Sequence, residues 1–427
     1  MQESRTCPKC AVKKIHFEFF AKFVRYWIQF ILFHATKFNH IVYKVGSGAS
    51  GFNFKEINTL HRAEASLYPA DMKNRIYLQI LEKRVESADT ASLVLQPLNG
   101  FFSYKPGQFL TLLLSLEGQE IRRSYSFSSS PGVDPYPIIT VKRQPNGIAS
   151  SYLVEKAEPG EVLTALPPAG QFVLPVSWRQ PHHLFMIAGG SGISPIFSLL
   201  KYTLACTTRF RVMLVYASRD EQNLIFKEEL KKWLDLYPSR FKAIFLLSTP
   251  KGGLEELNGS AQLKAIHGRL GNSLLEEIVK DNKPPDESVT DFFLCGPPGL
   301  LLKSEMTLRF MGYPKENVHK EVFTITPPFR PPAERLPDGA VALSRNGSVE
   351  SFPIRAGQTI LEAAEQAEIE LPFSCRSGIC TTCTAICQEG EVEMYLPDGP
   401  LNSSSTKGVI QTCVGYPVTT FTKITVG

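Results

Sequence analysis

The sequence predicts a multidomain protein with an N-terminal helical extension, an antiparallel β-barrel, a doubly wound parallel α/β sheet and a small α+β domain, in that order. Residues 74–177 alternate apolar and polar positions between Pro and Gly turns, which is typical of short antiparallel strands. Residues 182–325 repeat a strand, a turn and a helix, which predicts a parallel sheet. A Pro-rich linker at 326–337 then precedes residues 338–427, where strands, one helix and a cysteine-rich loop are mixed.

Charge is concentrated at the N-terminus. The chain has 427 residues, 43% of them hydrophobic, which is enough for several packed cores. Its formal net charge is +5, but residues 1–45 carry eight Lys or Arg against two Glu, which leaves about −1 for all the rest. The charge of the folded part therefore excludes a general nucleic-acid binder.

The extension, residues 1–70, is basic and aromatic. Ten aromatic side chains lie between Ile15 and Tyr43, and as a helix this stretch has a polar stripe opposite an apolar face. Its longest uncharged run is 11 residues, whereas a membrane span needs about 20. Two interpretations stay open: residues 15–43 contact a membrane surface peripherally, or they pack on the protein or on a partner. We expect the protein in the cytoplasm in either case.

Four cysteines have the spacing of an iron–sulfur site. Cys375, Cys380 and Cys383 form C-x4-C-x2-C, and Cys413 follows after 29 intervening residues, which is the plant-type arrangement around a [2Fe–2S] cluster. Structural zinc usually needs two short pairs, and only one is present here. Disulfides suit small secreted domains, whereas this chain has an odd number of cysteines, nine, and no recognisable signal peptide.

A polar segment within the predicted barrel is a candidate flavin site. Arg123, Tyr125 and Ser126 would place a cation on a phosphate and an aromatic ring beside a flat cofactor, although an ordinary polar strand fits equally well. Further along, Gly147 to Ser150 opens a short helix, and the free N–H groups at a helix start can bind an anion.

These two segments together resemble the flavin motifs of the ferredoxin-NADP reductase superfamily. The resemblance implies that Arg123 and the Gly147–Ser150 turn hold the FAD pyrophosphate. It also implies that Tyr125 lies along the isoalloxazine and that Ser126 hydrogen-bonds near the reactive N5. The FAD-binding residues predicted in this way are Arg123, Ser124, Tyr125, Ser126, Gly147 and Ser150.

The α/β segment carries a candidate nicotinamide site. The apolar run His183–Ala188 enters the glycine turn Gly189–Pro195 and then a helix, which is the geometry that lays a pyrophosphate on a helix N-terminus. This turn and Cys295–Pro298 match the superfamily's nicotinamide motifs. The resemblance implies that the coenzyme contacts Gly189, Gly190, Gly192, Cys295 and Gly296, with Cys295 beside the nicotinamide.

Two further residues and the coenzyme preference follow from the same resemblance. Glu321 and Phe323 match the segment in which an acidic group and an aromatic ring approach the flavin. Superfamily members that prefer NADPH commonly have Ser-Arg after the third strand, and this chain has Ser248–Pro250 there without the Arg. The sequence thus favours NADH weakly, although Lys251 or Arg219 could replace the missing Arg.

The C-terminal segment resembles a β-grasp ferredoxin, because Leu371–Cys375 and Gln411–Cys413 match its cluster loop. The order flavin, nicotinamide, ferredoxin resembles the reductase components of multicomponent oxygenases, notably the phenylacetyl-CoA oxygenase type, over residues 74–427. The resemblance implies that hydride passes from NAD(P)H to FAD and that single electrons then pass through the cluster to an oxygenase or hydroxylase. The implied catalytic residues are Ser126, Cys295 and Glu321.

Two alternatives concern the acceptor and the class of protein. The acceptor could instead be a membrane desaturase, a haem protein or a hybrid-cluster protein, and the basic aromatic extension favours a partner at a membrane. In a different class, the chain would be a scaffold protein with non-functional cofactor sites.

Overall fold

The computed structural model describes most of the chain from Arg75 to Val426. Within that span it leaves out residues 101, 117, 176–181, 209, 253, 259–260, 284–288, 324–329, 346, 374, 379–381, 397–398 and 401–407. The chain divides into two compact units, Met1–Pro69 and Ala70–Gly427, and the described residues all belong to the second. The predicted helical extension and Cys380 therefore lie outside the described residues.

The first domain is a closed antiparallel sheet. Its strands are β1 Ile76–Ser87, β2 Thr90–Pro97, β3 Phe109–Leu116, β4 Gln119–Ser126, β5 Ile138–Lys142 and β6 Val162–Ala165. They are hydrogen-bonded in the order β4-β3-β6-β1-β2-β5, and a bridge from Phe127 to Ile139 joins the two edge strands. Alternate side chains such as Leu78, Leu93 and Leu112 fill the interior. The predicted barrel is confirmed.

One short helix belongs to this domain. Helix α1, Ile148–Ser151, continues as a single π-helical segment, Tyr152–Lys156. The sequence predicts one helix over Ala149–Lys156, and the structure places helical backbone there. Leu153, in the π-helical segment, is fully buried in the barrel core, which anchors the turn that precedes α1.

The second domain is a six-stranded parallel sheet. Its strands are β7 His182–Gly189, β8 Arg211–Ser218, β9 Phe241–Leu247, β10 Leu263–His267, β11 Val289–Cys295 and β12 Val318–Glu321. They lie in the order β10-β9-β8-β7-β11-β12. Successive strands are added in one direction from β7 to β10 and in the opposite direction from β11 to β12. The crevice beyond the carboxyl ends of β7 and β11 is therefore the expected ligand position in a doubly wound sheet.

Helices cover both faces of this sheet. They are α2 Ile193–Cys206, α3 Lys227–Leu236, α4 Asn272–Asp281 and α5 Pro298–Phe310. Helices α2 and α3 pack on one face, and α4 and α5 pack on the other. The sequence predicts one helix over Glu221–Leu236. The structure interrupts it, because Phe226 has a left-handed backbone (φ 59°) while its buried ring stacks on Phe197 at 4.7 Å.

The third domain has the mixed sheet of a β-grasp. Its main sheet has the order β14-β13-β20-β15-β18, with β13 and β20 parallel and the other pairs antiparallel. The bounds are β13 Gly339–Arg345, β14 Ser348–Ile354, α6 Ile360–Gln366, β15 Thr384–Glu389, β16 Val392–Leu396, β17 Gly399–Pro400, β18 Gly408–Gln411, β19 Gly415–Pro417 and β20 Phe421–Thr425. Strands β17, β16 and β19 form a second, small sheet. Thr359 caps α6 through a reciprocal capping box with Glu362.

Buried polar contacts fix the barrel on the parallel sheet. Lys201 in α2 lies 2.5 Å from the Asp134 carboxylate of the barrel domain, and the Ser198 hydroxyl donates to the Ser129 carbonyl at 2.5 Å. Burial lowers the pKa of Lys201, and the neighbouring Asp134 opposes that shift. No helix among the described residues has the length and apolar character to cross a bilayer.

Candidate functional site

Three of the four predicted cluster cysteines lie in the described residues, and two of them are in contact. Cys383 ends the cluster loop just before β15, Cys413 follows β18, and their sulfur atoms are 3.2 Å apart. The hydrogen bond between the two thiols lowers the pKa of Cys383. The hydrogen bonds that Cys413 makes with Cys375 and then with Cys383 raise the pKa of Cys413. The structure therefore gathers Cys375, Cys383 and Cys413 as the spacing predicts.

Backbone contacts hold the fourth cysteine against the third. Both the amide and the hydroxyl of Thr412 donate to the Cys383 carbonyl, at 3.0 and 3.3 Å. The Thr412 carbonyl in turn accepts from the amide of Leu361 in α6, at 3.0 Å. The residue before Cys413 is thus tied to both the cluster loop and the helix, which fixes the distance between the two thiols.

The loop around Cys375 fits a thiolate-bound cluster. Arg376 and Gly378 both have left-handed backbones (φ 53° and 74°), and the turn brings the Ser377 amide to 3.4 Å from the Cys375 sulfur. The buried hydroxyls of Ser377 and Thr382 find no hydrogen-bond partner within the described part of the chain. A loop that gathers thiols, directs an amide at a sulfur and leaves hydroxyls unsatisfied is suited to a sulfur-rich group.

Strand β4 carries the predicted flavin residues at two different depths. Tyr125 is half-buried, and burial raises its pKa, while the nearby Arg123 cation opposes that shift. Ser126 is buried, and its hydroxyl has no partner among the residues that the structure describes. Ser124 differs, because its hydroxyl lies 3.0 Å from that of Thr111 on β3. The unsatisfied Ser126 hydroxyl fits a bound flavin, which would supply the missing partner.

The Gly147–Ser150 turn is held by its own side chain. The Ser150 hydroxyl accepts from the Gln144 amide at 3.0 Å and donates to the Gly147 carbonyl at 3.1 Å. A Cβ atom on Gly147 would lie 2.5 Å from this hydroxyl oxygen. The turn therefore needs both residues for its shape, and its backbone is the part left to meet a phosphate.

The glycine turn after β7 packs backbone against backbone on the turn after β11. A Cβ atom on Gly192 would lie 2.2 Å from the Cys295 carbonyl oxygen, and one on Gly296 would lie 2.9 Å from the Gly189 nitrogen. Gly190 has a left-handed backbone (φ 54°) and open space where a side chain would stand. The close approaches at Gly192 and Gly296 hold the two turns together. The open position at Gly190 faces the crevice.

Gly192→Ala is expected to destabilise the protein by about 1–3 kcal/mol, because the added methyl group meets a backbone carbonyl that cannot yield without shifting the turn. Thermal unfolding of the purified protein measures this change. Gly299→Ala is the matched control, since open space surrounds that glycine. A variant at Gly192 that unfolds at the wild-type temperature would contradict the predicted close packing.

Cys295 and Glu321 lie on neighbouring strands. They are register partners in β11 and β12, and the Cys295 thiol is fully buried. Burial, and next the Glu321 charge, raise the pKa of Cys295, so the thiol stays protonated. Burial raises the pKa of Glu321 to about 8, and the Cys375 thiolate adds to this shift. Glu321 therefore lies within electrostatic reach of both Cys295 and the cluster loop, while Phe323 is 43% exposed beyond the strand end.

A cleft of about 950 Å³ opens at the carboxyl ends of the parallel strands. Gly189, Gly190, Ser248 and Pro297 contribute to its wall. Among the described residues, five basic side chains line it against one carboxylate, that of Asp89, namely Lys142, Arg143, Arg219, Arg269 and Lys303. Such a cleft is suited to a ligand with several phosphates.

Sequence reasoning missed part of this cleft. Arg269 follows β10, a five-residue strand with interleaved polar residues that the apolar pattern did not reveal. Lys142 and Arg143 come from the barrel domain, at the end of β5. Its place in the sequence could have identified Arg269, because it follows the carboxyl end of a parallel strand, where ligands bind.

Three family models match successive parts of the chain. The oxidoreductase FAD-binding domain matches residues 77–174, the oxidoreductase NAD-binding domain residues 186–304, and the 2Fe-2S iron-sulfur cluster binding domain residues 343–418. The three matches follow the three domains of the structure in order, and residues 1–76 precede them all.

Known proteins share this arrangement over most of their length. The ferredoxin reductase component of 3-ketosteroid-9-alpha-monooxygenase from Rhodococcus rhodochrous is 34% identical over 79% of this chain and 93% of its own. One of the 1,2-phenylacetyl-CoA epoxidase subunits from Escherichia coli (strain K12) is 29% identical over 80% of this chain and 95% of its own. The crystal structure of phthalate dioxygenase reductase has the same fold, with a TM-score of 0.50 at 23% identity, covering 83% of this chain and 99% of that protein.

Proposed function

Because the chain belongs to the family of ferredoxin reductase components that join FAD-binding, NAD-binding and 2Fe-2S domains, we propose that it supplies electrons from NAD(P)H to an oxygenase-type protein. It is an NAD(P)H-dependent oxidoreductase whose cofactors are FAD and a [2Fe–2S] cluster. Bound FAD accepts two electrons as a hydride and releases them singly, which a one-electron cluster requires. The observation that carries the proposal is the gathering of the cluster cysteines, with the Cys383 and Cys413 sulfur atoms 3.2 Å apart, in a chain that also has FAD-binding and NAD-binding domains.

On the flavin side, β4 supplies the polar contacts. Arg123 provides a cation for the pyrophosphate, Tyr125 provides a half-buried ring beside the isoalloxazine, and the unpaired Ser126 hydroxyl hydrogen-bonds the flavin. Ser124 and Ser150 have supporting roles, because their hydroxyls are engaged within the protein.

On the nicotinamide side, the two packed turns form the floor of the crevice. Gly189, Gly192 and Gly296 keep the turns in contact, and Gly190 leaves room for the coenzyme. The protonated Cys295 thiol lies at this floor as a neutral group. With a pKa of about 8, Glu321 is largely protonated at neutral pH and can hold or give up a proton at its carboxyl oxygen while the flavin is reduced. Phe323 covers the flavin from the exposed side.

At the exit, Cys375, Cys380, Cys383 and Cys413 ligate the cluster. Anaerobic mixing of the purified holoprotein with NAD(P)H tests the whole path. We expect the flavin absorbance to bleach and the cluster to be reduced in turn, with an electron paramagnetic resonance signal. Bleaching of the flavin without reduction of the cluster would refute the proposed path, and a colourless protein would favour the scaffold interpretation.

A separate proposal concerns the N-terminal extension, which we propose contacts a membrane surface. The ten aromatic side chains between Ile15 and Tyr43 and the extension's charge of +6 are the features of a segment that lies on an anionic lipid surface, where it would bring the reductase to an acceptor at a membrane. This observation favours the second candidate acceptor, a membrane desaturase-like protein.

Full-length protein is expected to co-sediment with vesicles that contain phosphatidylserine, and a truncated protein that begins at Asp71 is not. Lysines and arginines attract anionic lipid over about one Debye length, so added salt should release the full-length protein. Vesicles of phosphatidylcholine alone are the control. Equal sedimentation of both proteins would contradict a membrane role for residues 15–43.

A further inference from the structure

One aromatic ring joins the barrel to the ferredoxin domain. The guanidinium carbons of Arg122 and Arg376 each lie 4.2 Å from the centre of the Phe373 ring. Arg122 belongs to β4 of the barrel, whereas Phe373 and Arg376 flank Cys375 in the cluster loop. A guanidinium plane stacks on an aromatic face better than an ammonium group does, so the contact suits arginine specifically.

Ion pairs around this stack restrain both arginines. Arg376 makes two hydrogen bonds to the Glu365 carboxylate in α6, at 3.0 and 2.5 Å. Arg122 donates to Glu120 at 2.8 Å and lies 3.6 Å from Glu370 of the ferredoxin domain. Glu370 is 63% exposed, so its pairing across the interface contributes little, and the contact of Arg122 with the half-buried Phe373 ring is the larger attachment. The Arg122 side chain is only 13% exposed.

The stacked arginines are sequence neighbours of residues in both proposed redox sites. Arg122 directly precedes Arg123 of the FAD site, and Arg376 directly follows the cluster ligand Cys375. Neighbouring residues of a strand point to opposite faces, so Arg122, which contacts the ferredoxin domain, and Arg123, a proposed FAD-binding residue, lie on opposite faces of β4. A displacement of Phe373 would therefore move the cluster loop relative to the flavin-bearing strand, and the rate of electron transfer between two centres falls steeply with their separation.

We propose that the Arg122–Phe373–Arg376 stack is a latch that positions the cluster loop for electron transfer from the flavin. The two electrons of one hydride leave the flavin as two successive single transfers, and the external acceptor reoxidises the cluster between them. Arg122 and Phe373 are positioning residues, since they bind no cofactor themselves. The latch rests on the electron path proposed above.

Stopped-flow mixing of the holoprotein with NAD(P)H separates the two steps. In Phe373→Leu and Arg122→Ala we expect flavin bleaching to stay within about twofold of wild type and cluster reduction to slow by about tenfold or more, because small misplacements of reacting groups have large kinetic effects. Phe373→Trp keeps a ring and should restore the rate. Arg122→Lys keeps the charge without the planar group and should restore little of it.

Hydrogen–deuterium exchange gives a readout that does not depend on electron transfer. Residues 371–378 and β4 are expected to exchange faster in Phe373→Leu and in Arg122→Ala than in wild type, also without coenzyme. Arg84→Ala is the control, because Arg84 pairs with Glu82 on the barrel surface. It should change neither measurement.

The latch is refuted if cluster reduction keeps the wild-type rate in both variants, or if it slows only as much as flavin bleaching does. A wild-type cluster that NAD(P)H never reduces would refute the electron path instead, and the exchange experiment would still decide whether the stack holds the loop. If Phe373→Leu does not fold, Arg122→Lys and Arg122→Ala provide the same comparison.

Discussion

Cys413→Ser is expected to remove the cluster while the flavin half of the protein keeps working. The substituted oxygen is a poor ligand for an iron–sulfur cluster, and Cys413 is tied through Thr412 to both the cluster loop and α6, so another side chain cannot take its place. We expect iron to fall from about two atoms per chain to nearly none. NAD(P)H should still bleach the flavin, and reduction of the protein acceptor should fall to background.

Cys387→Ser is the matched control for this variant. Cys387 is buried in β15, close to Cys383 in sequence, and its thiol lies 3.5 Å from the Glu389 carbonyl, which can accept from a serine hydroxyl. We expect this variant to keep its iron and its cluster absorbance. Equal loss of iron from both variants would mean that serine disrupts the domain rather than a ligand. Full iron in Cys413→Ser would remove Cys413 from the ligand set.

The parts that sequence alone predicts are those whose chemistry is local. The spacing of Cys375, Cys380 and Cys383 lies within nine residues, and the glycine turn after His183–Ala188 is read from one strand and one helix. Strand alternation likewise predicted the barrel. The interruption before α3 was not predicted, because Phe226 adopts its left-handed backbone for a buried ring contact with Phe197 that only the tertiary fold creates.

Sequence patterns did not predict the contacts between domains. Arg122 and Phe373 are far apart in the chain, and each has an ordinary local setting, one in a polar strand and one in an apolar loop. Ser150 gives an example within one domain, because its hydroxyl accepts from the Gln144 amide and donates to the Gly147 carbonyl, two contacts that the local pattern does not predict. The role of a polar side chain depends on which partners the fold leaves free.

The coenzyme preference is where the structure adds most to the sequence. An acidic residue at the end of the second parallel strand usually binds the ribose of NADH, and an Arg nearby accommodates the 2′-phosphate of NADPH. Here Asp220 is buried and caps the next turn by accepting from the Asn223 amide at 3.1 Å. Burial acts to raise the pKa of Asp220, but hydrogen bonds from Asn223 and the Lys251 charge outweigh it and lower the pKa.

With this carboxylate turned inward, cations remain at the cleft. Arg219 is 68% exposed there, with its Nε 3.5 Å from the Asp220 carboxylate, and Arg269 lines the same cleft at the end of β10. Lys251 lies at the same distance from Asp220 and near Gln222, but it is not among the described residues that line the cleft. The sequence favours NADH weakly because Ser248–Pro250 lacks an Arg, whereas these two arginines lead us to propose that the protein prefers NADPH.

Arg219→Ala and Arg269→Ala are each expected to lower kcat/KM for NADPH by about 10-fold to 100-fold, with kcat/KM for NADH changed by less than about threefold. A charge-assisted hydrogen bond contributes about 1.5–3 kcal/mol, and about 1.4 kcal/mol corresponds to a factor of ten. Steady-state kinetics with both coenzymes and an artificial electron acceptor measure the two values. The doubly substituted protein should prefer NADH.

Arg211→Ala is the control, because Arg211 starts the same strand, β8, at the end away from the cleft. Equal losses with both coenzymes in the cleft variants would place these arginines on the shared pyrophosphate rather than on the 2′-phosphate. A wild-type preference for NADH would support the sequence prediction, which rests on the missing Arg after β9. The cations of the cleft would then bind the pyrophosphate alone. The ratio of the two kcat/KM values separates these results, since only contact with the 2′-phosphate changes one coenzyme and spares the other.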